Sequence, residues 1–232
     1  MHRRRPDRLT LVKQVGSLPG PVVIVAAYLI GSVPFSGLIA RFLTGVDLRT
    51  VGTGTVSGSG LFRVAGVGPL VAGGALDLAK GCAGPLLAGT HRPALQLAAA
   101  VSGVVGHNWS VFLGGAGGRG ISPAMGAMTV LAPEGAVVLL AGLAAGKASR
   151  ATSLGALGSF AALIPVLGRT RGTHGQCIAL SLVAPLLAKR IAGNRPVRGP
   201  HQSRVLLNRL LFDQDEAQWP IRSQSRTVEQ TS

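Results

Sequence analysis

The sequence contains few charged and few aromatic residues for a chain of 232 residues. Asp, Glu, Lys and Arg make up 13% of it and aromatic residues 4%, whereas charged residues make up about 25% of a typical soluble domain. A soluble protein with so little charge would lack the polar surface that it needs in water. The apolar residues are mainly Ala, Gly, Leu and Val, and the mean hydropathy is +0.42. This composition predicts an integral membrane protein whose helices pack closely through small side chains.

Acidic residues are the scarcest charged group, with 8 Asp and Glu against 23 Lys and Arg, so the formal net charge is +15. An excess of this size is also found in nucleic-acid-binding proteins. The cations gather, however, in the first 20 residues, in short gaps between apolar runs and in the tail from Lys189 onward. This distribution is typical of the loops and termini of membrane proteins, so it disfavours nucleic-acid binding.

The sequence lacks the usual patterns of a metal centre or a hydrolase. Cys82 and Cys177 lie singly in apolar runs, and His91, His174 and His201 have no partners at ligand spacing, so neither a metal site nor a cofactor is predicted. There is no G-x-S-x-G sequence and no arrangement of paired carboxylates. Hydrolase chemistry of those kinds is therefore not expected.

Seven apolar runs predict an all-α, polytopic membrane protein of about seven transmembrane helices. The runs cover residues 21–40, 66–88, 94–113, 121–131, 136–148, 154–168 and 175–188. Several are shorter than the roughly 20 residues that usually span a bilayer, so tilt or local thinning of the bilayer is expected. We expect a basic arm at residues 1–20, a transmembrane domain at residues 21–192 and a polar tail at residues 193–232.

Charge also predicts an orientation. With residues 41–65, 114–120 and 147–153 and the tail in the cytoplasm, most of the loop cations lie inside, as the positive-inside rule requires. An odd number of spans places the basic arm outside, which conflicts with the rule. The loops and tail together outweigh the arm, so we predict a plasma-membrane protein with a cytoplasmic C-terminus.

Two glycine-rich segments, residues 41–65 and 114–120, are predicted to be ordered loops. Their glycines would let backbone amides approach an anion closely, and nearby arginines would add phosphate contacts. The segments lack the G-K-[ST] sequence of a nucleotide-binding P-loop. We therefore interpret them as candidate phosphate-binding loops of another kind.

Three polar residues within the apolar runs each have two interpretations. Asp77 and Lys80 share a helix face, where they form either a structural pair or a functional one. His107, at the end of an apolar run, is either a hydrogen-bonded interfacial residue or a catalytic one. Trp109 is interpreted as an anchor at the membrane interface.

Four stretches occur in the order and spacing of motifs in a known family. Residues 27–41 (AYLIGSVPFSGLIAR) contain a G-S-x-P-F run that ends in arginine, and residues 76–81 (LDLAKG) contain D-x-x-K-G. Residues 52–63 and 106–120 resemble the family's two glycine-rich motifs, and Ser153 lies in a position similar to that of a later serine-containing loop. Over about residues 27–160 the chain resembles PlsY, the bacterial membrane acyl-phosphate:glycerol-3-phosphate acyltransferase family.

The resemblance implies transfer of an acyl group from acyl phosphate to the 1-hydroxyl of glycerol 3-phosphate, giving lysophosphatidate and phosphate in phospholipid synthesis. It implies membrane lipid and both substrates as partners, and the enzyme that supplies acyl phosphate as a further candidate. The residues implied to be catalytic are Ser32, Arg41, Lys80, His107 and Ser153. Those implied to bind phosphate or substrate are Gly52, Gly54, Arg63, Gly117, Gly118, Arg119 and Gly120.

The chain departs from the family motifs at several polar positions. Thr55 and Gly60 replace two asparagines, and Ala116 replaces a lysine. In an H-x-x-N pair near the C-terminus, Asn194 matches the asparagine but Ile191 replaces the histidine. A diverged relative that binds lipid or a partner protein without catalysis is therefore an alternative. A small transporter is a further alternative, which is disfavoured because no internal repeat is visible.

Overall fold

The structure is a computed structural model that describes residues 18–195, 197 and 201–213. The described chain is helical, without strands. The helices are α1 (Gly20–Ser32), α2 (Phe35–Thr44), α3 (Gly58–Ala65), α4 (Val67–Ala88), α5 (Pro93–Asn108), α6 (Ile121–Leu131), α7 (Pro133–Ala148), α8 (Thr152–Ala192) and α9 (Gln202–Phe212). Two short 3-10 turns lie at Leu48–Thr50 and Val111–Leu113. The predicted basic arm lies almost entirely outside the described residues.

Each of the seven predicted apolar runs forms helix, although the runs differ in length. Among the described residues, three stretches are long and apolar enough to cross a bilayer: Gly20–Thr44, Val67–Ala88 and Thr152–Ala192. The other helices are shorter, such as α6 with 11 residues. Large apolar side chains point outward from α1, α4 and α7, for example Val25, Val71 and Leu140, which are 57%, 64% and 58% exposed. An apolar outer surface of this kind is suited to contact with lipid.

The predicted first span is interrupted rather than continuous to residue 40. Val33 and Pro34 lie outside both helices, and proline cannot donate the backbone hydrogen bond of a helix interior. The break places Ser32 at the end of α1 and Ser36 in the first turn of α2, so both serines lie at one end of the bundle.

The prediction of a loop throughout residues 41–65 was wrong. This segment contains the last turn of α2, a 3-10 turn and the whole of α3. Helix α3 forms because it buries Leu61 completely against Ala40, Leu48 and Val56. The gain from burying an apolar side chain outweighs the poor helix propensity of the neighbouring glycines.

The last two predicted runs are the two arms of α8. Gly172, with φ 61° and ψ −147°, interrupts the helix, and Arg190 near its end reaches the backbone of Ser153 near its start. Helix α8 therefore folds back on itself as a helical hairpin. The predicted runs 121–131 and 136–148 are separate helices, since α6 ends at Leu131 and α7 begins at Pro133.

Close packing through small residues, which the composition predicted, is confirmed at several helix crossings. A Cβ atom added at Gly31 of α1 would collide with the backbone of Gly103 in α5, and one added at Gly126 of α6 would collide with the carbonyl of Leu78 in α4. The main core lies among α5, α6, α7 and α8, where Met128, Leu139, Leu163 and Leu182 are fully buried; these four belong to a larger apolar cluster.

The segments that connect the helices lie at two opposite ends of the bundle. At one end, hydrogen bonds join the loop after α2 to residues 114–120, and join both residues 114–120 and Ser153 to the end of α9. At the other end, Arg92 donates to the carbonyl of Leu18, and Glu134 pairs with Arg171. The predicted placement of the two glycine-rich segments at the same end is confirmed.

Candidate active site

A polar pocket lies at the first of these ends, where α1, α2, α4 and α5 meet the second glycine-rich loop. It is small and partly open to solvent. The polar side chains that line it are Ser32, Ser36, Asp77, Lys80, His107 and Ser110. All six are buried, with exposed fractions of 8% or less. Burying a polar group costs free energy unless it is hydrogen-bonded or binds a ligand. Six buried polar side chains in one place distinguish this pocket from the apolar bundle around it.

Asp77 and Lys80 form an ion pair in the wall of this pocket. Their helical spacing of three places the Lys80 Nζ 2.9 Å from Asp77 Oδ1. Lys80 Nζ also donates to the carbonyl of Val33 at 2.6 Å, which the break at Pro34 leaves without a helical partner. Ser36 Oγ donates to Asp77 Oδ2 at 3.2 Å. The pair is thus held in place by α2 and by the break that precedes it, and its ammonium group faces the pocket.

Ser32 is the buried side chain of the pocket whose Oγ has no hydrogen-bond partner among the described residues. Its backbone carbonyl accepts a hydrogen bond of 2.6 Å from Ser110 Oγ. The Ser110 hydroxyl thus ties the end of α1 to the segment that leads into the second glycine-rich loop. The Ser32 hydroxyl is therefore positioned but available to a ligand.

His107 lies in the last turn of α5 and packs directly beneath Gly118. Its Nδ1 lies 3.8 Å from Asp77 Oδ1, and its backbone carbonyl accepts from the N–H of Gly118 at 3.1 Å. A Cβ atom at residue 118 would collide with His107 Nε2 and lie 2.8 Å from the carbonyl of Val56. Glycine at this position lets the loop lie against the imidazole and the first glycine-rich segment together.

Asn194, just after α8, joins the two glycine-rich loops. Its Nδ2 donates to the carbonyls of Gly54 and Gly117, both at 2.8 Å, and its Oδ1 accepts from the N–H of Gly117 at 3.1 Å. Val56 N–H also donates to the Gly117 carbonyl, at 3.1 Å. The backbone N–H groups of Gly117 and Gly118 therefore both donate hydrogen bonds within the protein, to Asn194 Oδ1 and to the His107 carbonyl.

A second, adjacent pocket lies on the other side of these loops. It is lined by Thr53, Thr55, Arg119, Arg190, Gly193, Arg209 and Asp213. Arg119 Nη2 donates to Thr53 Oγ1 at 3.3 Å and to Thr55 Oγ1 at 3.2 Å, and Arg119 forms an ion pair with Asp213. Thr55, which replaces a motif asparagine, thus keeps a polar contact. The consecutive residues Thr55–Val56 and Gly118–Arg119 connect the two pockets.

The remaining predicted site residues lie outside the first pocket. Ser153 Oγ donates to the carbonyl of Phe212 at 2.9 Å, beside the second pocket. Arg41 is exposed on α2, and Arg63 is exposed on α3 next to Gly52. Gly54 is buried beneath Asn194, and Gly120 precedes α6 with φ 76°. Their proposed contacts with substrate stay predictions.

The first glycine-rich segment is also ordered by a local ion pair. Asp47 accepts hydrogen bonds from the backbone and side chain of Arg49 and so caps the 3-10 turn at Leu48–Thr50. The side-chain hydrogen bond from Arg49 holds the pKa of the Asp47 carboxyl below its usual value. This turn fixes the segment that leads to Thr53 and Thr55.

Several residues of the two pockets were not predicted from the sequence. Ser36, Arg190, Arg209 and Asp213 were not singled out, and Asp77 was considered only as the partner of Lys80. The three residues after position 189 belong to the region expected to be a polar tail or its border. A helix, α9, forms in that region and buries Asn208 and Arg209 against the rest of the chain. The division into three regions stays a prediction.

A bundle of apolar helices with a buried polar pocket at one end defines a helical membrane protein with an enzyme-like site. A family model described as glycerol-3-phosphate acyltransferase matches residues 21–194, and the chain belongs to this family. It is therefore an acyltransferase and an integral membrane protein, and the alternatives of a small transporter and a non-catalytic binding protein are set aside.

Individual relatives agree with this assignment. A glycerol-3-phosphate acyltransferase of Anaeromyxobacter dehalogenans (strain 2CP-C) is 40% identical over 149 residues, covering 60% of this chain and 73% of the relative. Glycerol-3-phosphate acyltransferase 5 of Dehalococcoides mccartyi (strain ATCC BAA-2266 / KCTC 15142 / 195) is 30% identical over 222 residues. This match covers 91% of the present chain and 93% of the relative.

Among solved structures, the crystal structure of PlsY, an integral membrane glycerol 3-phosphate acyltransferase, in its glycerol 3-phosphate form superposes with a TM-score of 0.70. It is 26% identical and covers 85% of this chain and 94% of that one. The predicted all-helical, polytopic membrane fold is thus confirmed.

Proposed function

We propose that the chain transfers an acyl group from acyl phosphate to the 1-hydroxyl of glycerol 3-phosphate. The family supports the acceptor and the class of reaction, and the donor is the new element of the proposal. The observation that carries it is the position of Ser32, Lys80 and His107 in one buried pocket, next to Arg119 and its two threonines. One region thus offers hydroxyl, ammonium, imidazole and guanidinium groups to two anionic substrates.

The donor chemistry suits this set of residues. An acyl phosphate is already activated, because phosphate is a good leaving group, so no covalent enzyme intermediate is required. The 1-hydroxyl oxygen of glycerol 3-phosphate attacks the carbonyl carbon, and the bond from that carbon to the bridging phosphate oxygen breaks. The hydroxyl proton passes to the leaving phosphate. The products are lysophosphatidate and inorganic phosphate.

The protein's part in this step is to orient the substrates and to stabilise charge. Lys80, held by Asp77 and the Val33 carbonyl, presents a fixed positive charge to the developing oxyanion or the leaving phosphate. The unpartnered Ser32 hydroxyl is available to a substrate oxygen. Arg119 offers a planar guanidinium for bidentate contact with a phosphoryl group.

We further propose that the pockets open to the cytoplasm. Most described cations outside the bundle interior lie at the site end, while Arg92, Arg169 and Arg171 lie at the other end. The positive-inside rule assigns the more basic end to the cytoplasm. The acyl phosphate would then be drawn from the cytoplasmic leaflet, and an enzyme that supplies it is a candidate partner.

The experiment that tests the donor uses purified protein in detergent with glycerol 3-phosphate and one of three donors: acyl phosphate, acyl-coenzyme A or an acyl carrier protein thioester. We expect turnover with acyl phosphate that releases phosphate and lysophosphatidate in equal amounts. Turnover with a thioester but not with acyl phosphate would contradict the proposal.

Variants connect this turnover to the pockets. Ser32→Ala and Arg119→Ala should each lower kcat/KM by about tenfold or more, the effect of losing one substrate hydrogen bond of roughly 1.5–3 kcal/mol. The matched controls are Ser102→Ala and Arg169→Ala, because both residues bond to backbone carbonyls away from the pockets. Equal losses in the variants and their controls would show that the effect is not due to the pockets.

A further inference from the structure

Ser110 is a buried residue at the junction of α1, α5 and the second glycine-rich loop. Its Oγ donates a hydrogen bond of 2.6 Å to the backbone carbonyl of Ser32. Its backbone N–H donates to the carbonyl of Ala116 at 3.0 Å, and its own carbonyl accepts from the N–H of Gly115 at 2.9 Å. One residue therefore joins the end of α1 to the second glycine-rich loop.

The end of α1 depends on donors from other parts of the chain. The last carbonyls of a helix have no intrahelical donor, and a buried carbonyl without a partner costs free energy. Val33 follows the last residue of α1, and its carbonyl accepts from Lys80 Nζ at 2.6 Å. The preceding carbonyl, that of Ser32, accepts from Ser110. Two consecutive carbonyls at the end of the helix are thus held by side chains from two different segments.

The residue before Ser110 is held from two further sides. The hydroxyl of Tyr28, one turn before Ser32 on α1, donates to the carbonyl of Trp109 at 2.8 Å. The buried Lys189, in the last turn of α8, places its Nζ 5.2 Å from the centroid of the Trp109 ring, which is within the range of a cation–π contact. Residues 109 and 110 therefore form a fixed support to which α1 is bonded at Tyr28 and at Ser32.

Helix α5 confines Ser32 from the remaining side. A Cβ atom added at Gly106 would lie 3.0 Å from Ser32 Oγ and 3.1 Å from the Ser32 backbone nitrogen, and it would collide with the carbonyl of Tyr28. Ser32 Oγ has no hydrogen-bond partner among the described residues, so its position follows from that of its backbone. Loss of the bond from Ser110 would therefore move this hydroxyl relative to the other polar groups of the first pocket.

We propose that Ser110 is a positioning residue for acyl transfer, which acts through Ser32 and holds the Ser32 hydroxyl in a fixed place relative to the second glycine-rich loop. The proposal rests on the proposed function in that the Ser32 hydroxyl contacts a substrate oxygen. Ser110 needs no contact with substrate itself, because its hydroxyl proton is donated to the Ser32 carbonyl. Misplacing a group that orients the reacting atoms slows the chemical step, so kcat should change more than KM.

The test is a double-mutant cycle on the purified full-length protein, with glycerol 3-phosphate and whichever of the three donors supports turnover. Ser110→Ala should lower kcat by about tenfold or more and leave the KM for glycerol 3-phosphate within about twofold of the wild type. In Ser32→Ala protein the same change should have almost no further effect, because the residue through which Ser110 acts is absent. Losses of kcat that multiply in the double variant would overturn the proposal alone. Wild-type kcat in Ser32→Ala would overturn it together with the proposed role of Ser32.

The matched control is Ser159→Ala. Ser159 is also buried, and its Oγ donates to a backbone carbonyl, that of Ala156 at 2.7 Å. It lies in α8 and lines neither pocket. This variant should keep kcat within about twofold of the wild type, since it removes a bond of the same kind without reaching the site. A loss equal to that of Ser110→Ala would show that any buried serine has this effect.

A labelling measurement provides a second arm that needs no turnover, and it also decides the case in which Ser32→Ala retains too little activity for the cycle. Ser32→Cys, with Cys82 and Cys177 replaced by alanine, is alkylated with iodoacetamide in detergent. Adding Ser110→Ala should speed the labelling by about threefold or more, because the released end of α1 opens more often, whereas adding Ser159→Ala should not. An unchanged labelling rate with Ser110→Ala would contradict the role of Ser110 in holding Ser32.

Discussion

Asn194 joins the two glycine-rich loops, and its replacement by alanine tests whether the loops act as one unit. The change removes three hydrogen bonds, two from Nδ2 to the carbonyls of Gly54 and Gly117 and one from the Gly117 N–H to Oδ1. Each is worth about 1 kcal/mol net, so their loss should cost roughly 2–3 kcal/mol when water partly replaces them. That free energy corresponds to a factor of about 30 to 150 in the equilibrium between joined and separated loops.

If both loops must be joined for substrate to bind, Asn194→Ala should raise the KM for glycerol 3-phosphate and lower kcat/KM by up to that factor. The assay combines steady-state kinetics with thermal unfolding in detergent. The matched control is Gln96→Ala, which removes a side-chain amide with one hydrogen bond, to the Pro85 carbonyl at the far end of the bundle. Asn194→Ala enzyme with the kinetics and unfolding temperature of the control would refute the reasoning.

Two further predictions concern the first pocket. Gly118→Ala should lower both activity and unfolding temperature, because its Cβ would collide with the His107 imidazole. In the control Gly74→Ala the added Cβ meets no neighbour, so this variant should be neutral. Equal activity and unfolding temperature of the two variants would contradict this packing. Asp77→Asn should destabilise the protein by about 3–5 kcal/mol in thermal or denaturant unfolding, because it leaves the buried Lys80 charge unpaired. Adding Lys80→Met should recover stability but not turnover, and a double variant no more stable than the single one would show that the pair is not coupled.

The parts of the molecule that follow from local sequence pattern could be predicted. Long apolar runs become helices because their backbone groups must bond internally in lipid. The motif spacing located Lys80, His107 and Arg119, each of which the structure places in one of the two pockets. Helix α3 was not predicted because glycines and serines, which have low helix propensity, dominate its sequence. The helix is stabilised by burial of Leu61 against Leu48 and Val56, a contact that exists only in the folded chain.

The remaining site residues depend on contacts between distant parts of the chain. Asn194 bonds to Gly54 across 140 residues, and Arg119 pairs with Asp213 across 94 residues, so no local period or motif indicates either contact. In helix α9, Arg209 is buried and its guanidinium donates to the carbonyls of Ala192, which ends α8, and of Arg195, just beyond it. Carbonyls at the end of a helix have no intrahelical donor and require another partner. The sequence alone does not indicate which side chain supplies it.

Catalysis as proposed requires the two glycine-rich loops to form one substrate pocket on the cytoplasmic side. The direct measurement places single cysteines at Thr55 or Arg119, with Cys82 and Cys177 replaced by alanine, and labels them in membranes with an impermeant maleimide. We predict that both positions react only from the cytoplasmic side, and that glycerol 3-phosphate slows labelling of Thr55→Cys. Labelling from opposite sides, or a rate at Thr55→Cys that saturating glycerol 3-phosphate does not change, would contradict a shared pocket.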